Sequence, residues 1–356
     1  MAGKCFLMAG GGTGGHVMPL LAVAEQLRTR GQSPYFIGTK TGFEARLVPE
    51  RKFPIEYIEI GGFVGLGLAR KLKLLYQLPL AILKCLASIR KNKPVACFSL
   101  GGYAAAPPVV ASLLSGLPLI VMEPNAMPGV VNRWMGRFAY KALLSFPQAA
   151  SYFPSRAVEI TGLPVREEFF AIEAKPFTGE LTLLITGGSQ GSQTLNNAVR
   201  ELWPLLHGLN VRLIHQCGRN QEEQLRQDFT QTCLKGEVKA FIQDMPSAYQ
   251  AADLVLCRAG AGTVSELAAA GRPAILVPFP FAADDHQAKN AQAVVDAGAG
   301  FMFRDSELTG KAILDIITNF IQHPDQLAAM SARAHALRQP GAATRAADIL
   351  LKLDKT

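Results

Sequence analysis

Short apolar runs recur along the chain, and each is followed by a loop rich in glycine and then by a stretch with helical spacing. Val, Ile and Leu dominate these runs, which is typical of strands in parallel sheets that helices cover on both faces. The predicted strands are residues 5–9, 96–100, 119–122, 181–186, 211–216, 254–257 and 274–277. The pattern therefore predicts an α/β fold with doubly wound parallel sheets.

The order of elements starts again in the middle of the chain. KCFLMAGGGTGG at residues 4–15 is echoed by LTLLITGGSQGS at residues 181–192, and each opens with a strand that ends in glycines. This repeat predicts two Rossmann-like domains in tandem. The turn-rich segment 162–176 marks the boundary, so we predict a first domain over residues 1–162 and a second over 163–340. A last helical stretch, residues 342–353, could pack on either domain.

Charge is distributed unevenly over the 356 residues. Residues 1–163 carry 18 Lys and Arg against 7 Asp and Glu, whereas the remaining residues carry 18 against 21. This difference suggests two domains with different partners, although compositional drift would give the same pattern. The six cysteines include no Cys-x-x-Cys pair, which disfavours a disulfide framework or a zinc site and favours a reducing compartment.

No secretory or membrane-spanning segment is predicted. The apolar stretch after Met1 is too short for a signal peptide and runs directly into glycines. The longest charge-free stretch, residues 94–122, is divided by pairs of glycines and prolines into pieces that are too short to span a bilayer.

The first glycine loop, GGGTGGH at residues 10–16, is suited to an anion. Glycine lets backbone N–H groups approach a phosphate closely, and the N-terminus of the next helix adds partial positive charge. The loop also fits the dinucleotide pattern G-x-G-x-x-G, but that use requires an acid near the end of the second strand, where residues 35–40 read YFIGTK. We therefore predict a diphosphate or sugar phosphate rather than NAD, with a tight turn that binds nothing as the alternative.

The second glycine loop, GGSQG at residues 187–191, repeats this arrangement, with Ser189 as a hydrogen-bond donor. It also spells G-x-S-x-G, the nucleophile elbow of serine hydrolases. A hydrolase triad would combine Ser189 with Asp253 and either His286 or His323. A binding loop that opens the second domain is the favoured interpretation, because the elbow pattern fixes only three residues.

A third loop, CRAGAGTVSE at residues 257–266, again places glycines and hydroxyls where a helix begins. Glu266 could accept both hydroxyls of a ribose, whereas Ser265 and Glu266 could also be ordinary residues of a helix start. After the last predicted strand, residues 284–287 read DDHQ. Consecutive residues rarely converge on one metal ion, so we predict that Gln287 binds sugar hydroxyls while its neighbours shape the loop.

A basic and apolar segment over residues 65–94 contains no acid. Its basic residues alternate with Leu, Ile and Tyr at helical spacing, which fits a surface that contacts anionic lipid headgroups. Interleaved aromatic residues are lacking, which disfavours nucleic acid, and a core helix with a solvated basic face is the alternative. The basic residues are Arg70, Lys71, Lys73, Lys84, Arg90, Lys91 and Lys93.

Seven short motifs, taken in their order along the whole chain, resemble one enzyme family. They are GGTGGH at 11–16, GGY at 101–103, EPN at 123–125, GGSQG at 187–191, FIQDM at 241–245, RAGAGTVSE at 258–266 and DHQ at 285–287. The sequence thus resembles the bacterial peptidoglycan GlcNAc transferases of the GT-B class. The resemblance implies two Rossmann-like domains that face a cleft, with UDP-GlcNAc in the second and the acceptor and membrane at the first. It also implies that a helix over residues 341–356 crosses back to the first domain.

The resemblance assigns binding residues position by position. In the first domain they would line the cleft, and in the second they would bind UDP-GlcNAc, with Glu266 on the ribose. The first-domain residues are Thr13, Gly14, Gly15 and Asn125; those of the second are Arg166, Ser189, Ile242, Ala261, Gly262, Thr263, Val264, Ser265, Glu266 and Gln287.

The implied reaction moves GlcNAc from UDP-GlcNAc to the C4 hydroxyl of undecaprenyl-diphospho-MurNAc-pentapeptide, lipid I, and forms lipid II. Inversion in one displacement requires a base, for which His16 is the first candidate and Glu123 the reserve; His16 could instead be a structural cap. The loops and Arg166 would stabilise departing UDP, so we expect no metal and no cofactor. The implied location is the cytoplasm, peripherally at the inner membrane. A UDP-GlcNAc 2-epimerase or another GT-B lipid glycosyltransferase remains the alternative.

Two departures from the family pattern remove polar side chains. Met122 and Pro124 stand where the family often has His and Gln, and Leu163 stands where it commonly has Asn. Asn125 and Arg166 are retained, but the local hydrogen bonding at both places is in doubt.

Overall fold

The computed structural model describes residues 3–12, 14–61, 68–188 and 190–353, with the backbone alone for residues 68–75. The chain divides into two compact units. Unit 1 comprises Met1–Pro164 together with Gly341–Thr356, and unit 2 comprises Val165–Pro340. The division falls two residues after the predicted domain boundary.

Unit 1 contains a sheet of seven parallel strands in the order β3-β2-β1-β4-β5-β6-β7. The strands are β1 (Cys5–Gly10), β2 (Ser33–Thr39), β3 (Ile55–Ile58), β4 (Ala96–Gly101), β5 (Leu119–Glu123), β6 (Lys141–Leu144) and β7 (Val158–Ile160). The helices between them are α1 (Gly14–Thr29), α2 (Glu44–Glu50), α3 (Leu68–Asn92), α4 (Ala106–Leu114) and α5 (Val130–Met135), with short 3₁₀ turns at Tyr103–Ala105, Gly136–Phe138, Pro147–Tyr152 and Ser155–Ala157.

The strand order places the helices of unit 1 on two faces. The connections from β1 to β3 run toward one edge of the sheet and those from β3 to β7 run toward the other. Because parallel crossovers are right-handed, α1 and α2 cover one face, and α3, α4 and α5 cover the other. The C-terminal helix, Ala342–Lys352, packs against α1.

The core of unit 1 follows from this layering. Alternate strand residues such as Leu7, Ile37 and Val121 pack with Cys85 of α3 and Val109 of α4 in one buried cluster. Residues in between, such as Phe6 and Met8, are equally buried on the opposite face. A sheet covered on both faces explains why its strands read as continuous apolar runs.

Unit 2 contains six parallel strands in the order β10-β9-β8-β11-β12-β13. The strands are β8 (Leu181–Thr186), β9 (Val211–Gln216), β10 (Lys235–Lys239), β11 (Leu254–Cys257), β12 (Ala274–Leu276) and β13 (Gly300–Met302). The helices are α6 (Glu167–Phe170), α7 (Gln193–Leu202), α8 (Glu222–Thr230), α9 (Met245–Ala251), α10 (Ala261–Ala270), α11 (His286–Asp296), α12 (Gly310–Gln322) and α13 (Pro324–Ala336), with 3₁₀ turns at Trp203–Leu206, Arg219–Gln221 and Ala283–Asp285.

The predicted α/β class with two doubly wound parallel sheets is confirmed. All seven apolar runs are strands, and β8, β9 and β11 begin and end at the predicted residues. The apolar runs did not reveal β2, β3, β6, β7, β10 and β13, although the second strand was expected to end within residues 35–40. In the described part of the chain, no helix is both long and apolar enough to cross a bilayer.

Candidate active site

The glycine loops lie at the carboxyl edges of the two sheets, where the direction of winding reverses. In unit 1 the reversal lies between β1 and β4, and glycine loops follow both strands. In unit 2 it lies between β8 and β11, which are followed by the loops at 187–191 and 257–260. Open parallel sheets bind ligands at such reversals, so each unit has one candidate site.

The first glycine loop of unit 1 is packed too closely for a side chain at Gly12. Gly12 has a φ of +88°, and a Cβ placed there would lie 2.7 Å from the ring of Tyr103. A Cβ at Gly102, where φ is +80°, would lie 2.9 Å from the Gly11 carbonyl oxygen. The loop that follows β4 therefore presses directly on the loop that follows β1, and only glycine permits this approach.

Helix α1 begins at Gly14, so the predicted residues Gly14 and Gly15 form its first turn together with His16. The first N–H groups of a helix have no partner within it and carry partial positive charge. A Cβ at Gly102 would lie 3.6 Å from Nδ1 of His16, which places the imidazole beside the β4 loop. His16 and the helix N-terminus are therefore brought together, while the predicted Thr13 lies outside the described residues.

Glu123, the last residue of β5, is buried and holds the loop after this strand. Its carboxylate accepts hydrogen bonds from the backbone N–H of Asn125 at 2.9 Å, from the Asn125 side chain at 3.2 Å, from Gly129 N–H at 3.3 Å and from the Asn132 side chain at 2.9 Å. Burial raises the pKa of Glu123 to about 7, against the lowering effect of these four donors. The two predicted residues Glu123 and Asn125 are thus bonded to each other.

The two departures from the family pattern are apolar side chains in the interior of unit 1. Met122 is fully buried in β5, and Leu163 is almost fully buried. The Met122 carbonyl oxygen accepts a hydrogen bond from Asn132 at 3.1 Å, so Asn132 binds the backbone of β5 and the Glu123 carboxylate together. Hydrogen bonding around Glu123 is therefore supplied by Asn125, Gly129 and Asn132.

The second glycine loop, between β8 and α7, also depends on close backbone approach. Gly191 has a φ of +76°, and a Cβ there would lie 2.1 Å from the Cys217 carbonyl oxygen. A Cβ at Gly188 would meet nothing within 4 Å, so this residue borders open space. Ser192 caps α7 by accepting the Leu195 N–H. Ser189 lies outside the described residues.

The serine hydrolase alternative is wrong for this chain because its acid lies at the opposite edge of the sheet. Asp253 precedes β11, and its carboxylate accepts the Thr182 N–H at 2.7 Å and pairs with Lys175 at 3.2 Å. Thr182 lies near the start of β8, whereas loop 187–191 follows the end of that strand. Asp253 is therefore a structural residue at the amino edge and cannot orient a histidine beside loop 187–191.

Helix α10 carries the third loop and most of the predicted donor residues. Gly260 precedes the helix, and Ala261, Gly262 and Thr263 form its first turn with N–H groups that lack intrahelical partners. A Cβ at Gly260 or Gly262 would meet nothing within 4 Å, so the helix N-terminus is open. Val264 is buried and packs into the unit 2 interior, so only its backbone could face a ligand.

Glu266 and Arg166 are close enough to interact electrostatically. Burial raises the pKa of Glu266 to about 7, and the positive charge of Arg166 acts in the opposite direction. Arg166 precedes α6, and its guanidinium lies 4.9 Å from the centre of the Phe169 ring. The structure thus brings two predicted residues that are 100 positions apart to one place in unit 2.

Gln287 lies in the first turn of α11, and its Oε1 accepts the Phe279 N–H at 3.0 Å. One turn further, the buried Asn290 donates to the Ala259 carbonyl oxygen at 3.2 Å and so joins α11 to the loop before α10. Asp284 and Asp285 both have positive φ values, of 51° and 52°, and form the sharp entry into α11. Asp285 pairs with Arg304 at 3.2 Å, and these neighbours of Gln287 therefore shape the loop.

Gln216, at the end of β9, is a residue that sequence reasoning missed. It is buried, its Oε1 accepts the Ile242 N–H at 2.9 Å, and its Nε2 donates to the Gly188 carbonyl oxygen at 2.9 Å. The predicted residue Ile242 is thereby fixed to the second glycine loop through one amide side chain. The available signal was a polar residue at the end of a predicted strand, directly before the Cys217-Gly218 turn.

Arg258 and Asp305 form a second group that was missed. Arg258 pairs with Asp305, donates to Ser192 Oγ at 2.8 Å and lies 5.6 Å from the Phe279 ring centre. Asp305 also accepts the Thr194 hydroxyl at 2.7 Å. These contacts tie the loops after β8, β11, β12 and β13 together at the carboxyl edge. Asp305 gave no signal in the sequence because it lies 47 residues after Arg258.

An acid does reach the first glycine loop, although none ends β2. Glu44, the first residue of α2, is buried and accepts the Gly12 N–H at 2.8 Å. The lack of an acid in the segment 35–40 therefore did not exclude a carboxylate at this loop, because Glu44 follows Thr39 by five residues. This carboxylate is already used by the protein backbone. Across the described residues, no group of three or more His, Cys, Asp or Glu is arranged to hold a metal ion.

Comparison with known proteins gives matches over nearly the whole chain. Residues 6–144 match the glycosyltransferase family 28 N-terminal domain, and residues 182–348 match the glycosyltransferase family 28 C-terminal domain. The chain is similar to a UDP-N-acetylglucosamine--N-acetylmuramyl-(pentapeptide) pyrophosphoryl-undecaprenol N-acetylglucosamine transferase from Solibacter usitatus, with 53% identity over 97% of this chain and 95% of that protein.

Two further relatives extend this similarity. A protein of the same name from Methylococcus capsulatus is 42% identical over 99% of both chains. The crystal structure of Acinetobacter baumannii MurG is 34% identical and has a TM-score of 0.84, covering 98% of this chain and 99% of that chain.

Proposed function

The chain belongs to glycosyltransferase family 28, and from this membership and its site we propose that it transfers GlcNAc from UDP-GlcNAc to undecaprenyl-diphospho-MurNAc-pentapeptide. The two parallel-sheet units have the GT-B fold, as predicted. The observation that carries the proposal is the 53% identity with a transferase of that name over 97% of the chain. The open N-terminus of α10, with Glu266 and Arg166 near each other, supports a donor site in unit 2.

Unit 2 is proposed to bind the donor. The open N-terminus of α10 and the glycine loop after β8 offer backbone N–H groups to the diphosphate, and Ser189 is proposed to add a hydroxyl donor. Glu266 accepts the ribose hydroxyls, and Ile242, whose backbone N–H is held by Gln216, contacts the UDP-GlcNAc. Gln287 binds the sugar hydroxyls through its amide. Arg166 lies near Glu266, where its charge offsets the charge of the nucleotide.

Unit 1 is proposed to bind the acceptor and to supply the base. The N-terminus of α1, with Gly14, Gly15 and the neighbouring Thr13, attracts the acceptor diphosphate. His16 removes the proton from the C4 hydroxyl of MurNAc as that oxygen forms a bond to the anomeric carbon of GlcNAc. The bond from this carbon to the UDP oxygen breaks in the same step, and UDP leaves with its electron pair. Asn125, held by Glu123, positions the acceptor beside His16, and Glu123 is the reserve base.

Release of UDP tests this function directly. We expect UDP release from UDP-GlcNAc to depend on a lipid I analogue and to give a disaccharide product. A UDP-GlcNAc 2-epimerase would change the sugar without an acceptor, and another GT-B lipid glycosyltransferase would prefer a different lipid acceptor. Either result would contradict the proposal.

The base is tested by His16→Ala. We expect kcat to fall by about 10²- to 10⁴-fold, the range typical of a lost general base, while the KM for UDP-GlcNAc changes little. The exposed His207, in unit 2, gives a control variant, His207→Ala, which should keep full activity. Near-normal turnover of His16→Ala would remove His16 from this role and leave Glu123.

We also propose that unit 1 attaches peripherally to the cytoplasmic face of the inner membrane, where the lipid acceptor lies. Helices α3, α4 and α5 share one face of the sheet. Exposed apolar side chains on these helices are Tyr76, Leu80, Leu83, Leu114, Val130 and Trp134, and the exposed Phe138 and Tyr140 follow in the connection from α5 to β6. Aromatic and aliphatic side chains among basic residues are typical of surfaces that bind anionic bilayers.

Charge supports this membrane surface. Between Glu59 and Glu159 the sequence contains one acid, Glu123, which is buried. The predicted basic residues Lys84, Arg90 and Lys91 lie on α3, whereas residues 62–67 and the side chains of Arg70, Lys71 and Lys73 lie outside the described part. Apart from the buried Glu123, the sequence stays free of acids past α3 to Arg137 and Lys141, so the surface extends beyond the segment 65–94 that the sequence indicated.

A further inference from the structure

The first glycine loop of unit 1 is held by a side chain that the reaction does not explain. The carboxylate of Glu44 accepts the Gly12 N–H at 2.8 Å through Oε2. Its Oε1 accepts the Thr39 N–H at 2.9 Å and the Thr39 hydroxyl at 2.7 Å. Glu44 is 1% exposed, so both oxygens are withdrawn from water and used by these three donors. One carboxylate therefore joins the end of β2 to the loop that follows β1.

Three glycines leave the space that this carboxylate occupies. A Cβ at Gly11 would lie 2.5 Å from the Glu44 carboxyl carbon, and one at Gly42 would lie 2.1 Å from its Oε2. A Cβ at Gly38 would lie 2.5 Å from the Glu44 side-chain methylene. None of these three glycines has a positive φ, so their backbone conformations would permit a side chain. All three contact Glu44, so the absence of a side chain at each of these positions is what lets the carboxylate fit.

The opposite side of the loop is closed by Tyr103 and Gly102, which approach Gly12 and Gly11. The glycine loop is thus held between the Glu44 carboxylate and the β4 loop. Two residues after Gly12 the chain enters α1, whose first turn contains His16. A shift of Gly12 would therefore move the start of α1 and the imidazole together. A misplacement of about 1 Å in a reacting group can lower a rate by about 100-fold.

The carboxylate also decides which N–H groups of the loop can meet an anion. Gly12 N–H is occupied by Glu44 and is therefore withdrawn from a phosphate, whereas the N–H groups in the first turn of α1 have no partner within the helix. A buried negative charge on this side would repel a diphosphate that entered the loop near Gly12. The acceptor is thereby directed to the helix N-terminus, next to His16.

We propose that Glu44 is a positioning residue, which fixes the first glycine loop so that the N-terminus of α1 and His16 are correctly placed for the acceptor. This inference rests on the proposed transferase function. It assigns Glu44 no contact with either substrate. Replacing Glu44 should therefore lower kcat/KM for the acceptor, which depends on unit 1, and leave donor binding in unit 2 unchanged.

The test compares Glu44→Gln with Glu50→Gln, a control on the same helix whose side chain is exposed. An amide cannot accept from both Gly12 and Thr39, because one of its ends is a donor. In Glu44→Gln we expect kcat/KM for the lipid I analogue to fall about 10- to 100-fold, with the KM for UDP-GlcNAc within about twofold of the parent value. Glu50→Gln should match the parent protein in both.

Hydrogen exchange measures the loop without relying on activity. Peptides that cover residues 10–20 should exchange faster in Glu44→Gln than in the parent protein, while peptides from unit 2 remain unchanged. If Glu44→Gln does not fold, Thr39→Val and Thr39→Ser replace it. Loss of the Thr39 hydroxyl in Thr39→Val should loosen the loop and lower acceptor kcat/KM, and Thr39→Ser should restore both.

The outcomes separate this inference from the proposed function. Unchanged exchange at residues 10–20 with unchanged acceptor kinetics would overturn the role of Glu44. If kcat/KM fell equally for UDP-GlcNAc and for the lipid I analogue, in proportion to the fraction of folded protein, Glu44 would be a purely structural residue. That result would also overturn the inference. If the parent protein released no UDP in the presence of the lipid I analogue, the transferase function would fail. Faster exchange in Glu44→Gln would then show that Glu44 fixes the loop, but its role toward the acceptor would fall with that function.

Discussion

Glu123 and Glu266 both have a pKa of about 7, but Glu123 is buried whereas Glu266 is partly exposed, and their surroundings differ. Glu123 has four hydrogen-bond donors, which belong to Asn125, Gly129 and Asn132. For Glu266, the positive charge of Arg166 lowers the pKa and so opposes the raising effect of desolvation. A carboxyl group whose two oxygens both accept hydrogen bonds from the residues that follow it is suited to hold that loop in place. A carboxyl group balanced by a cation at an open helix terminus is suited to bind hydroxyls.

The pKa of Glu266 predicts how donor binding depends on pH. Only the ionised carboxylate can accept both ribose hydroxyls, so binding should weaken as the pH falls through about 7. We expect the KM for UDP-GlcNAc to rise about tenfold between pH 8 and pH 6. Steady-state kinetics at saturating acceptor measures this change, and the diester diphosphate of UDP-GlcNAc does not titrate in that range.

The matched variant is Glu266→Gln. Its KM for UDP-GlcNAc should be about 10- to 100-fold higher at pH 8, as expected for a lost charged hydrogen bond, and should no longer change with pH. Glu223→Gln, at an exposed position in the first turn of α8, serves as the control. A pH dependence that persists in Glu266→Gln would contradict the assignment.

The buried His215 predicts how the stability of unit 2 depends on pH. It is buried in β9 with Nε2 bonded to Asn196 at 2.9 Å, and burial lowers its pKa to about 4. Between about pH 6.5 and pH 4 the unfolded chain therefore binds a proton that the folded state does not. The free energy of unfolding should fall as the pH drops through this window, by at most about 3 kcal/mol.

The two tryptophans allow this effect to be measured in unit 2. Trp134 is exposed in unit 1, whereas Trp203 is buried against Phe229 in unit 2. In a Trp134→Phe background, urea unfolding followed by fluorescence reports on unit 2 alone. His215→Gln should reduce the loss of stability between pH 7 and pH 5. Equal pH dependence in the parent and in His215→Gln would show that another group is responsible. The raised pKa of Glu266 makes unit 2 more stable as the pH falls, and the variant Glu266→Gln removes this opposing contribution.

At the scale of elements, the apolar pattern predicted the central strands better than the edge strands. β8, β9 and β11 are buried along nearly their whole length, and their bounds agree with the runs in the sequence. β10, at the sheet edge, reads KGEVK and buries only Val238, so no apolar run marks it. An edge strand has one neighbour and can remain polar, and its position is fixed by tertiary pairing with β9.

The glycine loops were predictable from the sequence, but the residues that hold them were not. Glycines between a strand and a helix indicate a close turn by themselves. Glu44, Gln216 and Asp305 are connected to these loops only through contacts between distant positions, and neither periodicity nor spacing reveals such contacts. The same holds for Asn132, which binds Glu123 from the helix after it.

Gly191 provides a test of close approach in one of these turns. Gly191→Ala would strain a φ of +76° and place a methyl group 2.1 Å from the Cys217 carbonyl oxygen. Gly179 also has a positive φ, of +91°, but a Cβ there meets nothing within 4 Å. Gly179→Ala should therefore cost only the conformational strain, about 1–2 kcal/mol. Gly191→Ala should cost about 1–3 kcal/mol more.

Urea unfolding in the Trp134→Phe background measures both glycine variants. Gly191→Ala should also raise the KM for UDP-GlcNAc, because the displaced loop carries Ser189, whereas Gly179→Ala should not. Equal destabilisation of the two variants would mean that strain at φ, rather than contact with Cys217, requires glycine at position 191.

At the scale of the whole molecule, the uneven charge has a structural counterpart in unit 1. A long part of the sequence whose one acid is the buried Glu123 forms α3, α4 and α5 and the strands between them, and right-handed crossovers place these three helices on one face. The sequence indicated this surface at 65–94 but not at Trp134 and Phe138. Helix α5 has only six residues, too few for a periodic pattern to show which side chains face solvent.

The proposed membrane surface predicts how lipid binding responds to the loss of these aromatic side chains. We expect the variant Trp134→Ser/Phe138→Ser to bind vesicles of phosphatidylcholine and phosphatidylglycerol at least about tenfold more weakly, since each large apolar side chain contributes about 1.5–3 kcal/mol when buried. Its kcat with a water-soluble acceptor analogue should be unchanged, because neither residue lies in the proposed site. Leu205→Ser, at an exposed apolar position in unit 2, is the control. Sedimentation with vesicles measures the binding, and full binding by the double variant would confine the membrane surface to α3 and α4.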